Sequence, residues 1–205
     1  MFNFIMKNEN EISSADLLMP ENMLRLYASG AFPMADEKSD EINWYMPEIR
    51  TIIPLDNFNI PRSVKKFLET SDFEFKFDND FLSIVKNCAK RETTWISNKL
   101  IDAYLKLHKL GHIHTVETWQ NGKLAGGLYG VSFRGAFFGE SMFSKVEQAS
   151  KTALVKLIER LNEKKFVILD VQYMTEHLKM FGATEISFEE YQQLLFKAYK
   201  RDCSF

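Results

Sequence analysis

Residues 112–172 constrain the fold more than any other stretch of this chain. "HIHTVETWQNGKLAGGLYGVSF" (112–133) reads as two strands joined at Asn121-Gly122, a dipeptide that accepts the positive φ angles of a tight hairpin turn. A third strand, "GAFFGESMF", follows Arg134. A long amphipathic helix comes next, over residues 146–163, with Val146, Ala149, Leu154, Leu157, Ile158 and Leu161 as its apolar stripe. Phe166 to Leu169 then read as a buried strand. The order hairpin, strand, long helix, strand predicts an α+β arrangement, with helices packed on a mostly antiparallel sheet.

The elements around this segment carry their own boundary signals. Pro20 opens a helix that Gly30 closes. "RSVKKFLE" and "DNDFLSIVKNCAK" have helical spacing, and "FEFKF" (73–77) alternates as a strand. Ser97 is placed to cap a helix that Gly111 ends. Gly182 stops a helix through Leu178, and "SFEE" (Ser187, Glu190) is a capping box for the last one. The stretch from Gly30 to Leu55, punctuated by Pro33, Pro47 and Pro54, reads as loop and short strands.

The last strand ends abruptly at Asp170-Val171-Gln172. Side chains alternate along a strand, so a carboxylate and an amide would share a face there if the extended geometry continues. "GES" (139–141) ends the strand on the other side of the long helix. Strand ends beside a crossover helix are where open sheets keep their clefts.

The chain has 205 residues, 45% hydrophobic and 26% charged, the composition of a globular protein of one large domain or of one with a small companion. A net charge of −2 argues against a strongly basic nucleic-acid binder, while leaving room for a local basic face. Cys88 and Cys203 are far apart and do not suggest a disulfide framework. "MFNFIMKNENEISSADLL" has no charged region ahead of an apolar one, and no apolar run has the length of a membrane span, so a cytoplasmic protein is expected. His108, His112 and His114 cluster in sequence, but they fall on a helix and the following strand and lack a His-Glu-x-x-His helix. No Gly-rich pyrophosphate loop opens the long helix, which disfavours a coenzyme A acetyltransferase.

"TWISNKLIDAYLKLHKLGHIHTVETW", "LAGGLYGV", "FFGESMFS", "EQASKTAL" and "LDVQ" occur in an order and spacing that resemble the leucyl/phenylalanyl-tRNA–protein transferase family. "YASGAFPM", "INWYMPEIR" and "IPRSVKKF" extend the resemblance through the N-terminal third. It implies a small N-terminal domain (1–62) beside an acetyltransferase-like (GNAT-type) domain (63–205) with a mixed sheet flanked by helices. The implied activity moves Leu or Phe from leucyl- or phenylalanyl-tRNA onto the N-terminal Lys or Arg of an acceptor protein, marking it for N-degron degradation. No metal or other cofactor, no membrane and a monomer are implied. The non-enzymatic alternative is an altered homologue that binds basic N-termini or RNA ends; a transferase using another aminoacyl donor is also open.

The same resemblance assigns candidate residues. Asp170 and Gln172 assist the attacking amine: the amide accepts a hydrogen bond from it, and the carboxylate orients or polarises the amide. Glu140 holds the reactants, and its charge suits a basic acceptor residue. Leu128, Phe137, Leu154 and Leu157 wall the Leu/Phe slot, with Gly139 and Ser141 beside it. Tyr27, Trp44, Tyr45 and Trp95 are available for stacking the donor's terminal adenosine. Arg62, Lys65, Lys66, Lys86, Lys90 and Arg91 are candidate tRNA contacts. The chain also departs from the family pattern. Met34 stands after Phe32-Pro33 where Trp is usual, and Thr175 stands where Asn usually follows the Gln.

Overall fold

The computed structural model describes residues 13–91 and 93–205. The N-terminal residues 1–12, read above for a leader, lie outside the described residues. A short helix α1 (Ser14–Leu17) precedes α2 (Pro20–Ser29), which ends at Gly30 with φ 94°. Two strands, β1 (Phe32–Ala35) and β2 (Ile42–Tyr45), form a small antiparallel pair. The rest of the chain builds one seven-stranded mixed sheet and the helices on its two faces.

That sheet contains β3 (Ile49–Ile53), β4 (Glu74–Phe77), β5 (Ile113–Gln120), β6 (Lys123–Phe133), β7 (Ala136–Ser144), β8 (Ile168–Gln172) and β9 (Thr184–Ser187), in the spatial order β4-β5-β6-β7-β8-β3-β9. Only β7 and β8 run parallel, and the helix joining them is α6 (Ala149–Glu163). The α+β arrangement with a mixed sheet flanked by helices is the expected one. Three details differ. The long helix begins at Ala149, because Gln148 takes a φ of 64° and breaks the turn before it. β8 begins at Ile168 rather than at Phe166 and ends at Gln172. β3 lies inside the large sheet, between β8 and β9, although it precedes the expected division at residues 62/63.

Local chemistry sets the turns. Asn121 and Gly122 both have positive φ, 49° and 70°, as a two-residue turn matched to strand twist requires. Ser97 caps α5 (Asn98–Lys109) through Leu100 N, and Ser187 with Glu190 forms the capping box of α8 (Phe188–Tyr199).

Alternation along the strands sorts side chains into two cores. Tyr129, Phe138 and Ile168 face one side, under α2, α5, α8 and α4 (Phe81–Ala89). Leu128, Phe137 and Leu169 face the other, under α6 and α3 (Arg62–Thr70). Gly126 faces α6 and Gly127 faces α4 at close range. A Cβ on Gly126 would lie 2.7 Å from Ala149 Cβ and 2.8 Å from Phe143 O; one on Gly127 would lie 2.6 Å from Ile84 Cδ1 and 2.7 Å from Val116 O. In each case one neighbour is backbone, so the strand itself must shift. Gly126→Ala is therefore expected to lower stability by about 1–3 kcal/mol in urea denaturation, the usual cost of overpacking.

Candidate active site

β7 and β8 pair over only three positions, Ala136 with Ile168, Phe137 with Leu169 and Phe138 with Asp170. Beyond them the strands part. β7 continues against β6 alone, while β8 continues against β3, where a register shift between Thr51 and Ile52 leaves Val171 unpaired. The gap opens into a cleft of about 900 Å³. Its apolar wall includes Leu128, Met142, Leu154, Leu157, Leu169, Leu178 and the buried Phe32, and its more exposed lining residues include Met34, Lys90, Arg91, Trp95 and Tyr173.

Asp170 lies beneath this cleft and is fully buried. Arg50 Nε donates to its two carboxylate oxygens at 2.9 and 3.0 Å, and Arg50 Nη2 donates to Oδ2 at 2.6 Å. Tyr191 Oη donates to Oδ2 at 2.7 Å, and the backbone N of Gln172 to Oδ1 at 2.9 Å. Arg50 is itself 1% exposed, its guanidinium 4.7 Å from the Phe32 ring centroid and 4.9 Å from that of Tyr191. Burial opposes the Arg50 charge, but Asp170 and then Tyr191 oppose burial, and the guanidinium pKa is raised above its ordinary value. With four donors making five hydrogen bonds to its two oxygens, Asp170 is an anchor rather than a proton acceptor. It reaches Gln172 through the backbone; no hydrogen bond joins their side chains.

That anchor holds an unusual conformation. Gln172 has φ 60°, and Tyr173 N donates to Val171 O at 2.8 Å across it, closing a three-residue turn. Such backbone costs about 1–3 kcal/mol and persists where its surroundings over-determine it. Here the Asp170 carboxylate and the Thr51 pairing do so. The turn ends the extended geometry, so Gln172 lines the cleft while Asp170 stays below. Gln172 Nε2 is buried with no hydrogen-bond partner among the described residues.

Glu140 lines the cleft from β7. Tyr27 Oη donates to its Oε1 at 2.9 Å, Tyr104 Oη to its Oε2 at 2.8 Å, and the two hydroxyls lie 3.1 Å apart. Burial pushes the Glu140 carboxyl up to about 7, against the opposing hydrogen bonds of Tyr104 and Tyr27. Burial, and then the Glu140 charge, hold both phenols well above the usual tyrosine range, so both remain donors. Glu140 is thus poised to change charge near neutral pH.

Of the expected residues, Gln172, Glu140, Trp95, Leu128, Gly139, Ser141, Leu154, Leu157, Lys90 and Arg91 come together around the cleft. Tyr27 and Trp44 do not offer open rings: both are buried, and Trp44 packs edge-on to Tyr27 at 5.8 Å because the apolar side of α2 faces the core. Phe137 is also core, stacked 5.5 Å from Phe205 on the face opposite Phe138. Arg62, Lys65 and Lys66 are exposed on α3, whereas Lys86 is exposed on α4; these helices cover opposite faces of the sheet, so the cations do not form one patch. Thr175 caps α7 (Glu176–Lys179), accepting from Leu178 N. The three clustered histidines diverge: His108 Nδ1 lies 3.1 Å from Ile113 O and His112 Nδ1 3.3 Å from Ser132 O, while His114 bridges Asp78 and Ser132.

Arg50, Tyr104, Tyr191 and Tyr173 escaped the sequence reading. Arg50 and Tyr191 meet Asp170 from 120 and 21 residues away, and no local spacing marks them. Tyr173 had one available signal, its position directly after Gln172.

Residues 52–196 match the family model described as leucyl/phenylalanyl-tRNA protein transferase, and residues 16–48 match the model of that transferase's N-terminal domain. A protein of Salinibacter ruber named leucyl/phenylalanyl-tRNA–protein transferase is 45% identical over 183 residues, spanning 89% of this chain and 81% of its own. Among solved structures, a conserved protein of unknown function from Staphylococcus epidermidis is similar with a TM-score of 0.45 and 10% identity, over 87% of this chain and 66% of that one. L-PGS from Bacillus licheniformis is similar with a TM-score of 0.43 and 14% identity, over 89% and 63%.

Proposed function

The chain belongs to the leucyl/phenylalanyl-tRNA–protein transferase family, a family of aminoacyltransferases, and from that premise we propose that Leu or Phe passes to the N-terminal Lys or Arg of an acceptor protein in the cleft between β7 and β8. The observation that carries the assignment is the convergence of Gln172 and Glu140 on one cleft whose deep wall is apolar. Modified acceptors would enter N-degron degradation. Action as a monomer is part of this proposal, and among the described residues no helix is long and apolar enough to cross a membrane.

The reaction forms a bond between the acceptor's α-amino nitrogen and the ester carbonyl carbon, and breaks the bond from that carbon to the ribose oxygen of the donor. The amine must be neutral to attack, and it gives up a proton that the leaving ribose oxygen finally takes. No covalent enzyme intermediate is needed; orientation and stabilisation of developing charge do most of the work. The Gln172 amide supplies an oxygen that can accept from the amine and an N–H that can donate to the carbonyl oxygen as it gains charge. Glu140, with its carboxyl pushed up to about 7, can take a proton from an acceptor ammonium of ordinary pKa, about 7.7–8.0. The side chain being transferred lies against Leu128, Leu154 and Leu157. Lys90 and Arg91 at the lip offer charge for the donor's phosphates.

Transfer of labelled Leu and Phe from charged tRNA to peptides beginning with Lys, Arg or Gly tests the reading. Transfer to the Lys and Arg peptides alone is the expected result; no transfer to any of them by folded protein would refute it. Because Glu140 acts as carboxylate, the wild-type rate should rise with pH through about 7. Glu140→Gln should lose that step and keep only the later rise from the acceptor amine.

A further inference from the structure

We infer that Arg91 is a positioning residue for the transfer reaction: from the end of α4 it holds the open edge of β7 in the shape that presents Glu140 to the cleft. The inference rests on the reading of Glu140 as the group that takes the acceptor's proton. β8 leaves the side of β7 after Phe138, so from Gly139 to Ser144 the strand is paired along one edge only. Within that stretch Tyr129 opposes Ser141 and Gly130 opposes Gly139, which leaves Glu140 as the extra residue of a bulge. Cross-strand partners share a face, so Ser141 lies on the side of Tyr129, and regular alternation would turn Glu140 to the other side. As the bulged residue it instead meets Tyr27 and Tyr104, in the same core as Tyr129. A bulge beside an open edge has strand neighbours on one side only, and the backbone groups on the other side need partners from elsewhere.

Arg91 supplies one. Its Nη2 donates to Met142 O at 2.6 Å and lies 3.5 Å from Ser141 Oγ, so it grips the two residues that follow the bulge. Among the described residues, no other side chain is hydrogen-bonded to the backbone of β7 between Gly139 and Ser144. A charged donor on a backbone carbonyl makes a stronger bond than a neutral one. A surface arginine usually loses that gain to the entropy of ordering its long side chain. Arg91 starts from a fixed base. α4 is pinned at its far end by Glu117 of β5, a fully buried carboxylate. Glu117 Oε1 accepts from the backbone N–H groups of Asn79 and Asp80, and its Oε2 accepts from Trp119 Nε1 at 2.8 Å. Asp80 in turn caps the helix by accepting from Ser83 N at 3.0 Å, and Ile84 lies against Gly127 of β6. α4 is therefore a strut between β5 and the open edge of β7, and Arg91 is its contact at the cleft. The Nη2 contact leaves the other N–H groups of the guanidinium for the donor's phosphates.

The test uses full-length protein, a Lys-initiated peptide as acceptor, and phenylalanyl-adenosine as donor. That donor carries no phosphate, so a residue that only binds phosphates has nothing to lose with it. Arg91→Met should lower kcat with this donor about tenfold and leave its KM within about twofold, because a misplaced group costs rate rather than binding. Arg91→Lys should recover most of the loss, since an ammonium can still donate to Met142 O. Glu140 supplies a readout that needs no transfer. Its carboxyl carbon, followed by NMR in protein made with isotope-labelled glutamate and identified by its absence in Glu140→Gln, should titrate at about 7 in the wild type. In Arg91→Met the titration should move down toward the ordinary carboxylate range, because burial is the largest cause of the rise and a loosened bulge admits water. Tyr27, Tyr104, Tyr129, Asp170 and Arg50, the ionisable groups around Glu140, are all retained in that variant. A loss confined to charged tRNA, an unchanged titration in Arg91→Met, or an Arg91→Lys protein no better than Arg91→Met would overturn the inference. A titration that moves as expected in a protein whose wild type transfers nothing would sink the proposed reaction and leave the hold on β7 standing.

Discussion

Arg50→Met is expected to lower the stability of this protein by about 3–5 kcal/mol, the cost of leaving one partner of a buried ion pair without the other. The Asp170 carboxylate receives three of its five hydrogen bonds from Arg50, and neither side chain is more than 1% exposed. Water cannot replace the lost donors there, so the uncompensated charge remains in a low-dielectric site. The pair also joins β3 to β8 and, through the rings of Phe32 and Tyr191, ties both to β1 and α8. Removing both charges is a different experiment. Arg50→Met with Asp170→Leu should recover most of the stability, because attraction inside the protein does little more than offset desolvation. Urea denaturation of the two proteins measures the difference. A loss under 1 kcal/mol in the single variant would show that the pair is not the anchor the geometry describes. The double variant should nevertheless fail in transfer, since Asp170 Oδ1 no longer holds the Gln172 backbone in its turn.

Gln172→Ala should do the opposite: leave the fold intact and lower kcat for transfer about 10²–10³-fold, the range for losing a group that stabilises developing charge. The donor KM should move by less than about threefold, because the amide is assigned to the reacting atoms and not to uniform binding. Gln172→Asn separates reach from chemistry. Asn keeps the amide and tolerates positive φ well, but is one methylene shorter. It should therefore fold like the wild type and transfer little better than Ala. Steady-state rates with charged tRNA and a Lys-initiated peptide decide this. Equal rates in all three proteins would remove Gln172 from the reaction.

The contrast between these neighbours shows why Asp170-Val171-Gln172 was only half legible in sequence. The resemblance and the strand end both pointed to the two polar residues. Alternation of side chains suggested that they would share a face and act as one unit. The structure gives them separate surroundings, because a positive φ at Gln172 stops the alternation and four donors occupy Asp170. A positive φ at Gln is not written in its local sequence, unlike the same feature at Asn121-Gly122, where residue chemistry favours it. The aromatic candidates divide in the same way. Tyr27 and Trp44 were as good as Trp95 on composition alone, and only the packing of α2 against α5 and β7 buried the first two.

What the sequence determined by itself was local: the Asn-Gly turn, the Ser97 and Ser187 caps, the glycines ending helices, the amphipathic α6 and the order of strands around it. Each of these is fixed by hydrogen bonds or burial within a few residues, so a single chain displays them. The family motifs added the chemistry. Tertiary structure alone decided that β3 enters the large sheet, that Arg50 meets Asp170 across 120 residues, that Glu140 sits under two tyrosines, and that Tyr173 stands at the lip. Those outcomes depend on two faces of one sheet being covered at once, and on charges finding partners wherever burial places them. Such contacts carry no spacing in the chain, because the free energy that selects them belongs to the whole packed molecule.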